Sequence, residues 1–515
     1  MLIAQLSLAT SERGGDWFYR IHGPGRALAE TNGIWTVDAP HIHRARRGLL
    51  ETADILIINM VPDVDLRPVI AARRARGQRT VFEMNDDVAH LHPSNPYARF
   101  YVDPYEVTKL KQLMGACDGV QFSTPELQRI YGRYTRAAAV FMNQMPAQRR
   151  QRLASSNING PVVIGWGGSA GHLPDLAWVA PALTRWMQTR ANVELRIMGD
   201  PALFDLFRAA PPAKRRHVPI GDIDAYYDFV SGLHIGIAPL QDSGFNRSRS
   251  DVKFLEYALH GAAPIVQDLA PYRATVRPDE TGLLVGEPEQ LIGALDRLVD
   301  EPDTRLAIAA RAQAYVQRER SGAAAAEQRL NFYRALLPDG HEAARVAHAR
   351  AVCEQLQAID GAEVCGRHVS LGFGGYEELV RRALVLGGAN RGGEAMQLLE
   401  QAAALQTDAY QPLAFGALFA KPAERQHYLQ RALAREPRSL SCWIELGDQL
   451  NDAGAFDGAL RAYAGAAEIE PTFDQAYAKT SLLMNKLGRH QEAHEFGAIA
   501  QAIQKPFLTD APGEP

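Results

Sequence analysis

Residues 244–268, GFNRSRSDVKFLEYALHGAAPIVQD, carry the pattern from which the fold of this chain is read. An apolar run, LHIGIAPL at 233–240, leads into them, and a second, APIV at 263–266, closes them. Strand, helix and strand in that spacing belong to a parallel sheet with helices on its faces. The helix is expected to start near Asp251, capped by Ser248 or Ser250, with Asp251 in the acid-favouring first turn. Lys253 and Glu256 are three apart and share one helical face, and Arg249 stands at the helix mouth. Free backbone N–H groups there, with two cations beside them, suit a phosphate or diphosphate. Glu256, one turn in, is placed to accept hydrogen bonds from a ribose diol. A surface Lys–Glu pair on an ordinary helix accounts for the same spacing.

Working outward, apolar runs at 161–165, 193–198, 233–240, 263–266 and 282–285 alternate with helical patterns and describe a doubly wound α/β domain. Its first run ends in Gly165-Trp166-Gly167-Gly168-Ser169-Ala170-Gly171-His172, a glycine-rich strand-to-helix turn. Such a turn suits a nucleotide, and tight turns need glycine in any case. Gly167, Gly168, Ser169, Asn246 and Ser250 join Glu256 as donor-side candidates, while His172 reads as a turn residue.

The first 150 residues alternate in the same way, with strands expected at 2–8, 34–37, 55–60, 80–84, 119–122 and 138–142. Chemistry in such sheets sits at the carboxyl ends of the strands, where three loops are polar. The loop at 10–26 offers Gly15 for close backbone approach and Arg20, His22 and Arg26 for anions. The loop at 85–92 offers Asp86, Asp87 and His90 to an attacking hydroxyl, with Asp87 the candidate catalytic carboxylate; a helix cap by either aspartate is the alternative. The third, STPE at 123–126, reads first as a helix cap with proline in the first turn.

Arg249-Ser250-x-x-Lys253-x-x-Glu256-Tyr257, followed by Ala258-x-x-Gly261-x-x-Pro264-Ile265-Val266, resembles the donor-site segment of family 4 nucleotide-sugar glycosyltransferases of the GT-B fold. Ile164-Gly165-Trp166-Gly167-Gly168-Ser169 and Met198-Gly199-Asp200 are similar to the same family. The resemblance implies two Rossmann-like domains and a nucleoside diphosphate-sugar donor. It assigns the diphosphate to Arg249 and Lys253, the ribose to Glu256, and retention to the anomeric centre. The family commonly carries a further glutamate eight residues before the ribose glutamate, and here that position is Ser248. Cations aimed at the departing diphosphate stabilise its growing charge in the transition state, so no metal and no other cofactor are invoked. Asp63-Val64-Asp65 and Asp222-Ile223-Asp224 imitate the metal-binding pair of single-domain transferases but read as turn residues.

The expected order is an acceptor-side domain at 1–155, a nucleotide-sugar domain at 156–317, a helix at 318–337 crossing back, a linker at 338–375 punctuated by Gly and Pro around a helix at 342–359, and repeats at 376–507. Within 440–473, Trp443, Leu446, Gly447, Leu450, Gly454, Ala459, Tyr463, Ala466 and Pro471 fall at the positions of a 34-residue tetratricopeptide repeat. Stacked repeats of this kind bury faces that none could bury alone and offer a surface to a protein partner or acceptor.

Composition is that of a soluble globular protein, with 46% hydrophobic and 22% charged residues and a net charge of −4, so nucleic acid is not an expected partner. Four scattered cysteines lack metal spacing, which fits a reducing, cytoplasmic setting. No apolar run reaches the roughly 20 residues of a spanning helix. Basic clusters such as Arg44/Arg46/Arg47 leave peripheral membrane contact open, with solvated helix faces the plainer account. The function expected is sugar transfer from a nucleoside diphosphate-sugar to a protein or glycan acceptor. The rivals are a catalytically degenerate scaffold for the repeats and a nucleotide-sugar epimerase.

Overall fold

The computed structural model describes residues 1–8, 14–146, 160–341 and 345–508. Its N-terminal sheet runs through β1 (Leu2–Ser7), β2 (Trp35–Pro40), β3 (Ile55–Asn59), β4 (Arg79–Met84), β5 (Gly119–Phe122) and β6 (Ala138–Val140). A second sheet comprises β7 (Val162–Gly167), β8 (Val193–Met198), β9 (Arg215–Val218), β10 (Ile235–Ala238), β11 (Ala263–Gln267) and β12 (Leu283–Val285). A late hairpin adds β13 (Ala362–Cys365) and β14 (His368–Leu371). The sheet orders are β13-β14-β2-β1-β3-β4-β5-β6 and β12-β11-β10-β7-β8-β9, and every pairing except β13 with β14 is parallel. Strands such as β3 (ILIIN) are buried along their whole length, because helices cover both faces of a parallel sheet. The chain thus has two Rossmann-like sheets followed by stacked helices, the α/β plus all-α architecture expected. β9, with its sequence RRHV, has no apolar run to announce it.

The stretch 302–336 is two helices, Pro302–Glu319 and Gly322–Leu336. The second packs Leu330 and Tyr333 against Met1, Ile3, Ile57 and Val81 of the N-terminal unit. Tyr333 also donates to Gln121 Oε1 at 2.7 Å. Arg320, at the break between the two helices, is held by the carboxylate of Asp251.

The stretch expected as a linker at 338–375 holds the helix read within it and packs on the N-terminal unit. The helix Val346–Gln357 sets Ala349 and Cys353 into the N-terminal core. β14 then pairs with β2, through His368↔Thr36, Val369↔Val37 and Ser370↔Asp38. Four-residue strands turning at Gly366 (φ +60°) are too short for periodicity to reveal, and tertiary pairing creates them. The boundary expected at 155/156 lies outside the described residues.

Beyond Gly374 stand four helical hairpins: Gly375–Gly388 with Gly392–Leu405, Gln411–Phe419 with Pro422–Arg435, Leu440–Asp452 with Phe456–Ile469, and Asp474–Lys486 with His490–Leu508. Small residues let the pairs close. A Cβ on Gly447 would lie 2.3 Å from the Tyr463 ring, and one on Gly387 2.2 Å from that of Phe419. The stack docks on the N-terminal unit through buried polar contacts. Asp65 accepts from Tyr410 (2.8 Å), Ser439 (2.7 Å) and the Ser441 amide (2.9 Å). Asp474 accepts from Tyr105 (2.9 Å) and Gln112 (3.1 Å), and Arg67 donates to Thr472.

Candidate active site

The carboxyl ends of the two sheets meet. Thr124, which caps the helix Pro125–Tyr131 as its sequence predicts, donates its hydroxyl proton to the Ser248 carbonyl at 2.9 Å. Asn143 donates to Ser250 Oγ at 3.0 Å. His90 lies against Gly244, and a Cβ on Gly171 would stand 2.8 Å from Asn95.

At the centre of this junction, the helix expected to start near Asp251 is Val252–Leu259, and an unexpected short helix, Gly244–Ser248, precedes it. Ser243 caps the short helix through the Asn246 amide, and no side chain caps the longer one. The expected caps are used elsewhere. Ser248 donates to the Phe245 carbonyl at 2.8 Å, and Ser250 accepts from Asn143. Asp251 is buried and turned toward Arg320 and Thr275 (2.7 Å). Arg249, in extended backbone between the two helices, thus stands at an uncapped helix start with its guanidinium 5.0 Å over the Phe245 ring.

Lys253 Nζ donates to Glu256 Oε2 at 3.0 Å and to Tyr226 OH at 2.7 Å, and sits 4.5 Å from the Tyr226 ring centre. Glu256 is 3% exposed, so it is not the open acceptor the sequence suggests. Tyr226 donates to its Oε2 at 2.7 Å, and Tyr19, reaching over from the N-terminal unit, to its Oε1 at 2.8 Å. Burial, and after it the Glu256 charge, pushes both phenols well above their ordinary range, which keeps them protonated donors.

Opposite Arg249 lie Asp16 and Asp86. Burial, then the Asp16 charge, pushes the Asp86 carboxyl up to about 7, against the pull of Arg249. The cleft walls raise Asp16 as well, again opposed by Arg249 and by Arg20. Asp87 does not share this position. It is fully buried, receives Tyr131 OH at 2.5 Å and contacts His90 Nδ1 at 2.7 Å, and its Oδ1 caps the turn Val88–His90. Its neighbour Asp86, and not Asp87, is the carboxylate set against Arg249.

The glycine turn is shaped by close packing. A Cβ on Gly167 would stand 2.9 Å from Tyr226, and one on Gly168 2.9 Å from Trp166. Ser169 is exposed and precedes the short turn Ala170–His172. His172 pairs with Asp175 at 2.9 Å, and burial, aided by the Arg249 charge, lowers it to about 4, so it is neutral. Asn246 is buried framework, its amide donating to Asp175 Oδ1 and the Gln241 carbonyl, each at 2.9 Å.

Residues 181–331 match the family model described as glycosyl transferase-like, a span that includes Arg249, Lys253 and Glu256. The chain is a glycosyltransferase of the GT-B type. The fold is shared with sucrose-phosphate synthase from Thermosynechococcus elongatus, at a TM-score of 0.50 and 14% identity over 65% of this chain and 99% of that one. It is shared too with Anabaena HepE in complex with UDP and glucose, at a TM-score of 0.50 and 11% identity over 65% of this chain and 100% of that one. A stretch of 65 residues is 32% identical to Superkiller complex protein 3 of Mus musculus; it is 13% of this chain and spans only 4% of that protein's length.

The remaining acceptor-side candidates of the transferase are dispersed. Gly15 is exposed beside Asp16, while residues 10–13 of its loop lie outside the described residues. Arg20 is no anion ligand: its guanidinium is buried against Glu83 (2.9 Å), Asn143 (2.7 Å) and the Phe141 carbonyl (2.8 Å). His22 turns to Asp38 and His368, away from the donor cations. Arg26 is exposed on the rim of a cavity of about 510 Å³ that Tyr19 also lines. The acidic decoys are structural: Asp222 caps the helix Ile223–Ser231, Asp63 pairs with Arg46, and Asp65 docks the repeats. Sequence reading did not single out Asp16, Tyr19 and Tyr226. Asp16 falls inside the polar loop already suspected, but nothing along the chain links the two tyrosines to Glu256.

Proposed function

We propose that this transferase moves a glycosyl group from a nucleoside diphosphate-sugar to a separate acceptor hydroxyl. Arg249 and Lys253 hold the diphosphate and stabilise the charge that develops on it as the glycosidic bond breaks. The observation that carries this reading is the pair of cations at the uncapped start of Val252–Leu259, Lys253 beside Glu256 and Arg249 set against Asp16 and Asp86. The ribose of the donor takes the place of the Tyr19 or Tyr226 hydroxyl on Glu256, since those phenols occupy both carboxylate oxygens. Asp86, titrating near neutral pH, suits a proton-transfer role at the acceptor hydroxyl. Retention, independence from metal and a protein or glycan acceptor complete the reading, with the tetratricopeptide-like stack presenting the acceptor or an assembly partner. Unpaired Cys117, Cys353, Cys365 and Cys442 support a cytoplasmic setting.

UDP-sugars are the first donors to test, because the Anabaena HepE structure holds UDP and glucose. Nucleoside diphosphate release is expected from wild type, and Lys253→Ala is expected to lower kcat/KM by about 10²–10³-fold. The reading fails if wild type binds and cleaves none of a full set of sugar nucleotides with candidate acceptors present. A silent scaffold is favoured by one observation, Ser248 where the family carries a glutamate. Conversion of the donor sugar in acceptor-free buffer would instead mark an epimerase.

A further inference from the structure

Away from the donor cations, three side chains from distant parts of the chain converge. His22 ends the helical turn Trp17–His22, Asp38 lies on β2, and His368 opens β14. His22 Nδ1 is 3.3 Å from Asp38 Oδ2, His368 Nε2 is 3.2 Å from the same oxygen, and the two nitrogens are 3.2 Å apart. Nitrogen and oxygen ligands about 2.0–2.1 Å from a tetrahedral zinc ion stand roughly 3.3–3.4 Å from one another. The three contacts therefore have nearly the edge lengths of one face of such a tetrahedron.

Hydrogen bonds leave this triangle short of protons. The Thr36 hydroxyl donates to the Gly25 carbonyl at 2.9 Å, so it accepts the Nδ1 proton of His368 at 2.8 Å. A neutral His368 then has only a lone pair at Nε2, facing a carboxylate oxygen and another imidazole nitrogen. His22 Nδ1 brings at most one proton to three edges. The outer side of the cluster is arranged as around metal ligands, with Thr36 orienting one imidazole and the Ser370 hydroxyl holding Asp38 Oδ1. Packing fixes the rings further. His22 stacks on Trp17 with centroids 4.3 Å apart, and a Cβ on Gly25 would press to 2.9 Å from His368 Cε1. Asp38 and His368 are buried, whereas His22 is 13% exposed and borders the cavity of about 510 Å³.

We propose that His22, Asp38 and His368 bind one divalent transition-metal ion of the zinc type, its fourth position left to water on the side where His22 borders the cavity. The ion is a clip. It fastens the β13–β14 hairpin and the segment bearing Tyr19, three residues before His22, to the same strand of the N-terminal sheet. No step of sugar transfer passes through it.

The test uses full-length, tag-free protein, stripped with a chelator and dialysed. Calorimetric titration with Zn²⁺ is expected to show one equivalent bound at micromolar Kd or tighter, with a raised Tm. Co²⁺ should give the intense visible bands of a four-coordinate ion. His22→Ala, whose ring is partly exposed and whose loss the fold should tolerate, is expected to weaken binding at least tenfold, and His368→Ala to abolish it. Cys365→Ser and His427→Ala should leave it unchanged. Absence of stoichiometric binding, or equal binding by wild type and His22→Ala, overturns the proposal. A Tm indifferent to Zn²⁺ that follows pH through the histidine range would assign the triangle to shared protons alone and overturn it equally.

Discussion

Asp86 faces Asp16 and Arg249 at the cleft, and its carboxyl, ordinarily near 3.8, is pushed up to about 7 by burial first and the Asp16 charge second. Below about pH 4 both the folded and the unfolded chain hold this proton. Between about 4 and 7 only the folded chain does, so the contribution of Asp86 to stability falls as pH rises and is lost above about 7. Asp86→Asn is therefore expected to melt higher than wild type at pH 8, with the gap closing toward pH 4, as read by calorimetry across that range. A gap that is constant with pH would remove the raised carboxyl. Asp87, one residue on, is instead held by Tyr131 and the Ala89 amide.

At the scale of elements, the turn after β7 depends on the turn after β8. Gly199 has φ +148°, and a Cβ there would lie 2.5 Å from the Gly168 carbonyl oxygen. Gly199→Ala is expected to cost about 1–3 kcal/mol in chemical denaturation and to weaken donor binding by displacing the glycine turn. Unchanged donor affinity in calorimetry would separate that turn from the donor. The turn, its strand and the helix bearing Lys253 and Glu256 were legible in the chain because buried parallel strands appear as unbroken apolar runs and glycines punctuate them. The short helix before Arg249 was not legible, nor were the true partners of Ser248 and Ser250, which both look like caps until Phe245 and Asn143 are brought to them. Asn246 looked like a donor contact for the same reason, and only the fold reveals Asp175 beneath it. β9, β13 and β14 escaped notice because strands of four residues are defined by their neighbours rather than by their own pattern.

Across the whole molecule, the repeats rest on the N-terminal unit through Asp65, Arg67, Tyr105 and Asp474. Asp474→Ala leaves the buried Gln112 amide without this acceptor and is expected to cost about 1–3 kcal/mol at the seam. Small-angle scattering of the Asp65→Ala/Asp474→Ala double variant should show a larger radius of gyration, with amide exchange faster around Tyr105; an unchanged profile would mean that these contacts do not hold the seam. Among the described residues, the polar ties that seat the stack end on the half of the enzyme bearing Asp86, whereas Arg249 and Lys253 ride on the other half. A swing that parts Tyr19 from Glu256 would thus carry the cations away while cargo gripped by the helical stack kept its bearing toward Asp86, so spent nucleotide could depart without that cargo being let go.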